Sequence, residues 1–84
     1  MGYGGPQEDM GRPAARAAPV SPADEDMAEW ALALYVGLGG DVRLTTWRGD
    51  TATFSNVPSG SVLPVRARRV WSTGTTAGEI VALG

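Results

Sequence analysis

Residues 31–57, ALALYV-GLGG-DVRLTTW-RGD-TATFSNV, decide the fold. Three runs rich in Val, Leu, Thr and aromatic residues alternate with connectors built from Gly and Asp. Leu32, Leu34 and Val36 fall on one face of the first run, with Ala33 and Tyr35 on the other. In the second, Val42, Leu44 and Thr46 oppose Arg43, Thr45 and Trp47. A period of two means strands, because successive side chains of an extended chain point to opposite faces. The Gly37, Gly39, Gly40 cluster is not a phosphate cradle, since another strand follows it where a dinucleotide site needs a helix. Arg48, Gly49 and Asp50 spell a tripeptide that some adhesion receptors read, but between two strands they form a hairpin turn.

The same texture continues to the C-terminus. Residues 51–57 (TATFSNV) are followed by 61–65 (SVLPV), 66–72 (RARRVWS) and 79–83 (EIVAL), with PSG and TGTTAG between them. Turns recur every 8 to 12 residues or so, the rhythm of a small sandwich or barrel. The expected fold is all-β: an antiparallel β-sandwich or jelly-roll-like domain of five to six strands over residues 29–84. Pro64 cannot donate to a ladder and belongs at an edge or bend.

Residues 65–72 are mixed on both faces, since Val65, Ala67, Arg69 and Trp71 alternate with Arg66, Arg68, Val70 and Ser72. An edge strand guarded by charge and a strand at an interface both explain this. Trp30, Trp47 and Trp71 are a large aromatic content for some 55 residues, and Trp and Arg dominate interface energetics. One Trp can fill the core. Trp47, Arg66, Arg68, Arg69 and Trp71 are therefore the candidate subunit or partner contacts.

Composition changes before residue 30. The first 29 residues hold six acids against Arg12 and Arg16, four of the six Pro, six Ala, and no Leu or Ile. Such a segment buries too little apolar area to offset an ordering cost of about 1–2 kcal/mol per residue. Residues 1–28 are expected to form an extended, acidic Pro/Ala-rich arm, with Tyr3, Met10, Arg12, Arg16 and Val20 as docking residues and its removal leaving a folded domain. Ser21 and Pro22 carry a helix-start signature that can support one short turn. Asp24, Glu25 and Asp26 lack the spaced oxygens and turn Gly of a calcium loop and are expected to be a solvated charge run.

The 84 residues contain no Cys and no His, and all seven basic residues are Arg. That removes disulfides, Cys-based metal sites, the thiol and Lys nucleophiles and the commonest general base. No cofactor or metal is expected, and no enzyme. The surviving catalytic reading is a polysaccharide hydrolase using two of Asp41, Asp50 and Glu79, all near turns. A net charge of −2 argues against nucleic-acid binding. No run of 18 apolar residues argues for a membrane span, and the N-terminus lacks the features of a secretory signal, so synthesis in the cytosol is expected. So short a domain has a small core, and oligomerisation is the reinforcement left to it.

Several motifs occur in order over about 50 residues: GGDV at 39–42, GDT at 49–51, F-x-N-V-P-S-G at 54–60, LPVR at 63–66, RV at 69–70 and TGTTA at 73–77. Together they resemble the head spike base proteins of phages and phage-like gene transfer agents of alphaproteobacteria. The resemblance does not reach residues 1–29. It implies a structural adaptor on the head surface of a virion-like particle. Its partners would be a capsid protein at the vertices and a spike or fibre, with host-surface polysaccharide reached indirectly. A homo-pentamer or other ring would fit such a place, because mixed faces such as that of Arg69 and Trp71 can bury against a neighbour. The rival reading is a carbohydrate-binding module that touches the host glycan itself, with Trp47 beside the RGD turn as its best aromatic.

Overall fold

The computed structural model describes residues 15–84. Within them the chain forms seven strands and no helix: β1 (Ala17–Pro19), β2 (Ala33–Leu38), β3 (Gly40–Thr46), β4 (Thr51–Val57), β5 (Ser61–Leu63), β6 (Ala67–Val70) and β7 (Gly78–Leu83). They make two antiparallel sheets, one in the order β1-β7-β2-β5 and one in the order β4-β3-β6. The expected all-β class holds, with β1 as a strand beyond the six read from the sequence.

β2 and β3 belong to different sheets and are separated by Gly39 alone. At this crossing the backbone runs so close to the β4–β5 turn that a Cβ on Gly39 would sit 2.5 Å from the Val57 carbonyl oxygen. Gly40 follows with φ 155° and equally little space, a Cβ there meeting the Ala77 nitrogen at 2.8 Å. The Gly cluster thus serves close backbone approach.

Leu34, Val36 and Ile80 from the first sheet meet Val42, Leu44, Ala67 and Val70 from the second, all at most 3% exposed. Leu32, expected on the face of Leu34, is 45% exposed because β2 begins one residue after it. Ala67 and Val70 have opposite parity, yet both are buried. The pairing of β3 with β6 shifts register between Thr45 and Thr46, and this irregularity turns both side chains inward. The RGD segment is the β3–β4 turn, with Gly49 N–H donating to the Thr46 carbonyl at 3.0 Å and Gly49 at φ 101°. Pro64 follows β5, at one margin of the first sheet.

Residues 15–28, assigned to the arm from their composition, are bound to the domain. β1 pairs with β7, Ala17 opposite Leu83 and Pro19 opposite Val81. Beyond it, Val20 N–H donates to the Ile80 carbonyl, Ala23 N–H to Val70 and Met27 N–H to Arg68. The segment therefore widens one sheet and then covers the outer edge of β6 in the other. Composition missed this because backbone bonds, not apolar side chains, do most of the holding. No helical turn follows Ser21. The acidic run is not merely solvated either. Asp24 accepts bonds from the Ser72 hydroxyl and from Thr73, and Asp26 pairs with Arg69, while Glu25 stays exposed.

Candidate interaction surface

On the outer face of the three-stranded sheet, Arg43 and Thr45 of β3 stand beside Arg69 of β6 and Trp71 just after it. The Arg43 and Arg69 guanidinium carbons lie 4.5 Å and 4.6 Å from the Trp71 ring centroid. The indole Nε1–H donates to Thr45 Oγ1 at 2.9 Å, and Thr45 shares a 2.8 Å hydroxyl bond with Thr51 of β4. Thr45 is only 4% exposed although it points away from the core, because Trp71 covers it. Arg69 Nε also donates to Asp26 Oδ1 at 2.9 Å. This cluster consumes its own charge and hydrogen-bonding capacity in clasping residues 24–26.

A second cluster sits at the corner where β3 ends and β6 begins. Trp30 and Trp47 meet edge to face, with centroids 5.7 Å apart and planes at 61°. The Arg66 guanidinium lies 5.1 Å from the Trp47 ring and that of Arg68 5.9 Å from Trp30. Trp47 Nε1 and Arg68 Nε are buried without a hydrogen-bond partner among the described residues; the Asp26 carboxylate is 3.9 Å from the latter. An open concavity of about 460 Å³ adjoins this corner, lined by Thr46, Trp47, Arg48, Asp50, Val65 and Arg66. Asp50 is its one acid, where hydrolysis by paired carboxylates needs two.

The outer face of the four-stranded sheet is different in kind. Cross-strand register places Pro19, Val81, Tyr35 and Val62 in one row over all four strands, and Ala17, Leu83 and Ala33 in the next. Neither row carries a charge. Tyr35 and Val62 are 38% and 51% exposed.

The five residues singled out in the sequence thus divide, Arg69 and Trp71 going to the clasp and Trp47, Arg66 and Arg68 to the corner. The clasp also uses Arg43, Thr45, Asp24 and Asp26, which sequence reasoning missed. Arg43 and Thr45 alternate with the core residues Val42 and Leu44, and that was the available signal. Of the arm docking residues, Arg16 pairs with Glu29 and exchanges backbone bonds with Gly84, and Val20 packs half-buried against the core. Tyr3, Met10 and Arg12 lie outside the described residues. Hydrogen bonds from the Ser72 hydroxyl and the Thr73 N–H hold the Asp24 carboxyl below the usual aspartate range. Among the described residues there is no cluster of three or more metal-ligating side chains.

No family model matches the chain, and no curated protein does. A solved structure does: the chain is similar to a chain of the capsid of a native gene transfer agent (GTA) particle computed with C5 symmetry. The two share 40% sequence identity over 86% of this chain and 84% of the other, with a TM-score of 0.77. That identity, sustained over nearly the whole of both chains, goes beyond a shared fold to common descent. This chain therefore belongs to the family of that capsid component, a family of structural proteins of gene transfer agent particles.

Proposed function

We propose that the chain is a head spike base: a non-catalytic adaptor that forms a ring on a capsid vertex, a pentamer, and anchors a spike or fibre. The carrying observation is the likeness to a capsid chain in a particle computed with five-fold symmetry. A cyclic ring needs two unlike surfaces on each subunit, because each copy meets its neighbour head to tail. The uncharged row of Pro19, Val81, Tyr35 and Val62 and the Trp30–Trp47–Arg66 corner are two such surfaces. Residues 1–14 are the proposed tether to capsid or fibre, and repetition around a ring multiplies weak contacts.

The glycan-binding reading fits the side chains less well. A sugar stacks on a bare aromatic face, whereas guanidinium groups already lie over Trp47 and Trp71. Particles assembled without this chain should lose both the vertex density and the fibre in electron cryomicroscopy. A fibre retained at full occupancy overturns the adaptor. Polysaccharide binding by the isolated chain would favour the carbohydrate module instead.

A further inference from the structure

The two sheets have four edges, and three are protected. β1 and β5 are three residues long, with Pro19 in one and Pro64 directly after the other. β6 is covered by backbone donors from Ala23, Met27 and Ala31. Shortness, proline and a covering segment are the ordinary means of stopping a sheet from recruiting strands. β4 has none of them. It is seven residues long, contains neither charge nor Pro, is mostly exposed, and pairs among the described residues with β3 alone. Its pairing is regular from Thr51 to Phe54, and the register shift falls beyond Phe54 towards Val57. Beyond it the strand is bulged, with Asn56 at φ 56° and its N–H donating to Asp41 Oδ1 at 3.0 Å; from Thr51 to Phe54 the outward backbone N–H and C=O groups are left to another chain.

The strand is complementary to itself. We infer that the β4 edges of two copies pair antiparallel across a two-fold axis at Thr53, joining two three-stranded sheets into one of six. In this register Thr53 faces its own counterpart, Ala52 faces Phe54 and Thr51 faces Ser55. Hydroxyls meet hydroxyls on the outer side, a favourable cross-strand pair, and on the core side the small Ala52 leaves room for the Phe54 ring of the other copy. Phe54, half-buried at the open end of the core, gains cover. Asp50 falls opposite Asn56, so no like charges oppose each other. Five paired residues a side are far fewer than the roughly 20–30 of a standard interface, so the dimer is weak and forms at high concentration. The contact is isologous, unlike that of a ring, and does not rest on the spike-base reading.

Sedimentation velocity of the full chain over a concentration series tests this, using Thr53→Lys and Thr53→Glu. The unaltered chain should shift from one copy towards two. Each variant alone should associate about tenfold more weakly, because like charges then face each other, and an equimolar mixture should restore the pair as a one-to-one heterodimer. Unchanged Trp emission verifies folding. Arg43 lies opposite Thr53 on β3 and disfavours the Lys variant. If that variant unfolds, recovery of the Glu variant's dimer at about 1 M salt, where charges are screened within ~3 Å, supports the pairing instead. The absence of any two-copy species, or a dimer indifferent to both charges, overturns the inference. So does a five-copy species dissolved by either variant, which would place β4 in the ring.

Discussion

The two outer faces put their side chains to opposite ends. On the three-stranded sheet, Trp71, Arg43, Arg69 and Asp26 satisfy one another, and the result is an internal clasp on residues 24–26. On the four-stranded sheet, Pro19, Val81, Tyr35 and Val62 form a row with no charge and nothing over it among the described residues. Arg and Trp are the residues expected at protein interfaces. Here the more conspicuous face is the more self-sufficient one, and the plain face has no such internal pairing. Changes to the first should therefore cost stability, and changes to the second should cost assembly.

Truncation tests this most severely. Removing residues 1–28 deletes β1 and uncovers the edge of β6, losing the bonds of Val20, Ala23 and Met27 together with the packing of Val20 and Met27. Domains have only about 0.05–0.15 kcal/mol of stability per residue, so the truncated chain should be unfolded at 25 °C by circular dichroism. A cooperative melt after the deletion would make the clasp ornamental and restore the whole segment as a free arm.

Trp71→Ala comes next. It removes a half-buried ring, two cation–π contacts and the bond to the buried Thr45, costing about 2 kcal/mol. At about 4–8 °C per kcal/mol for a domain of this size, the midpoint should fall by roughly 10 °C in a thermal melt. An unshifted midpoint with lost oligomers would return Trp71 to an interface.

Why the sequence pointed the other way is visible residue by residue. Period-two alternation put Leu34 with Val36 and Val42 with Leu44 on common faces, and these are the faces the core takes, because each residue sits in a regular strand whose parity fixes its side. Parity fails at Ala67 and Val70, where the β3–β6 register shift has no mark in the residue types. β1 was hidden for another reason. Ala17, Ala18 and Pro19 carry no strand preference and are recruited by the edge of β7, a contact more than sixty residues away in the chain. Arg69 was legible as important but not as the partner of Asp26, because that pairing spans 43 residues.

The third effect is pH-dependent. The folded chain holds Asp24 below its ordinary pKa, chiefly through the Ser72 hydroxyl and then the Thr73 N–H. A depressed carboxylate contributes stability that is fully present above the unfolded value, about 3.9, and is lost as the pH falls through the lower folded value. Exchange of the Thr73 amide should therefore accelerate below about pH 4 beyond the intrinsic rate. Asp24→Ala, which removes the acceptor, should show fast exchange at neutral pH and abolish that step. An amide equally protected in both proteins would show that the carboxylate holds nothing.

The smallest effect on folding is expected on the apolar face, and there it is the most informative. Val62 is 51% exposed on an edge strand, where Lys is well tolerated. Val62→Lys should change stability by no more than about 0.5 kcal/mol. If the row from Pro19 to Val62 is a contact surface, burying an ammonium there without a partner is costly, and occupancy on particles should drop about tenfold. Full occupancy with unchanged stability would leave this face idle and move the contact to the Trp30–Trp47–Arg66 corner, where Arg66→Ala is the corresponding change. The paired readout matters because a variant that merely unfolds loses both signals, whereas a contact residue loses one.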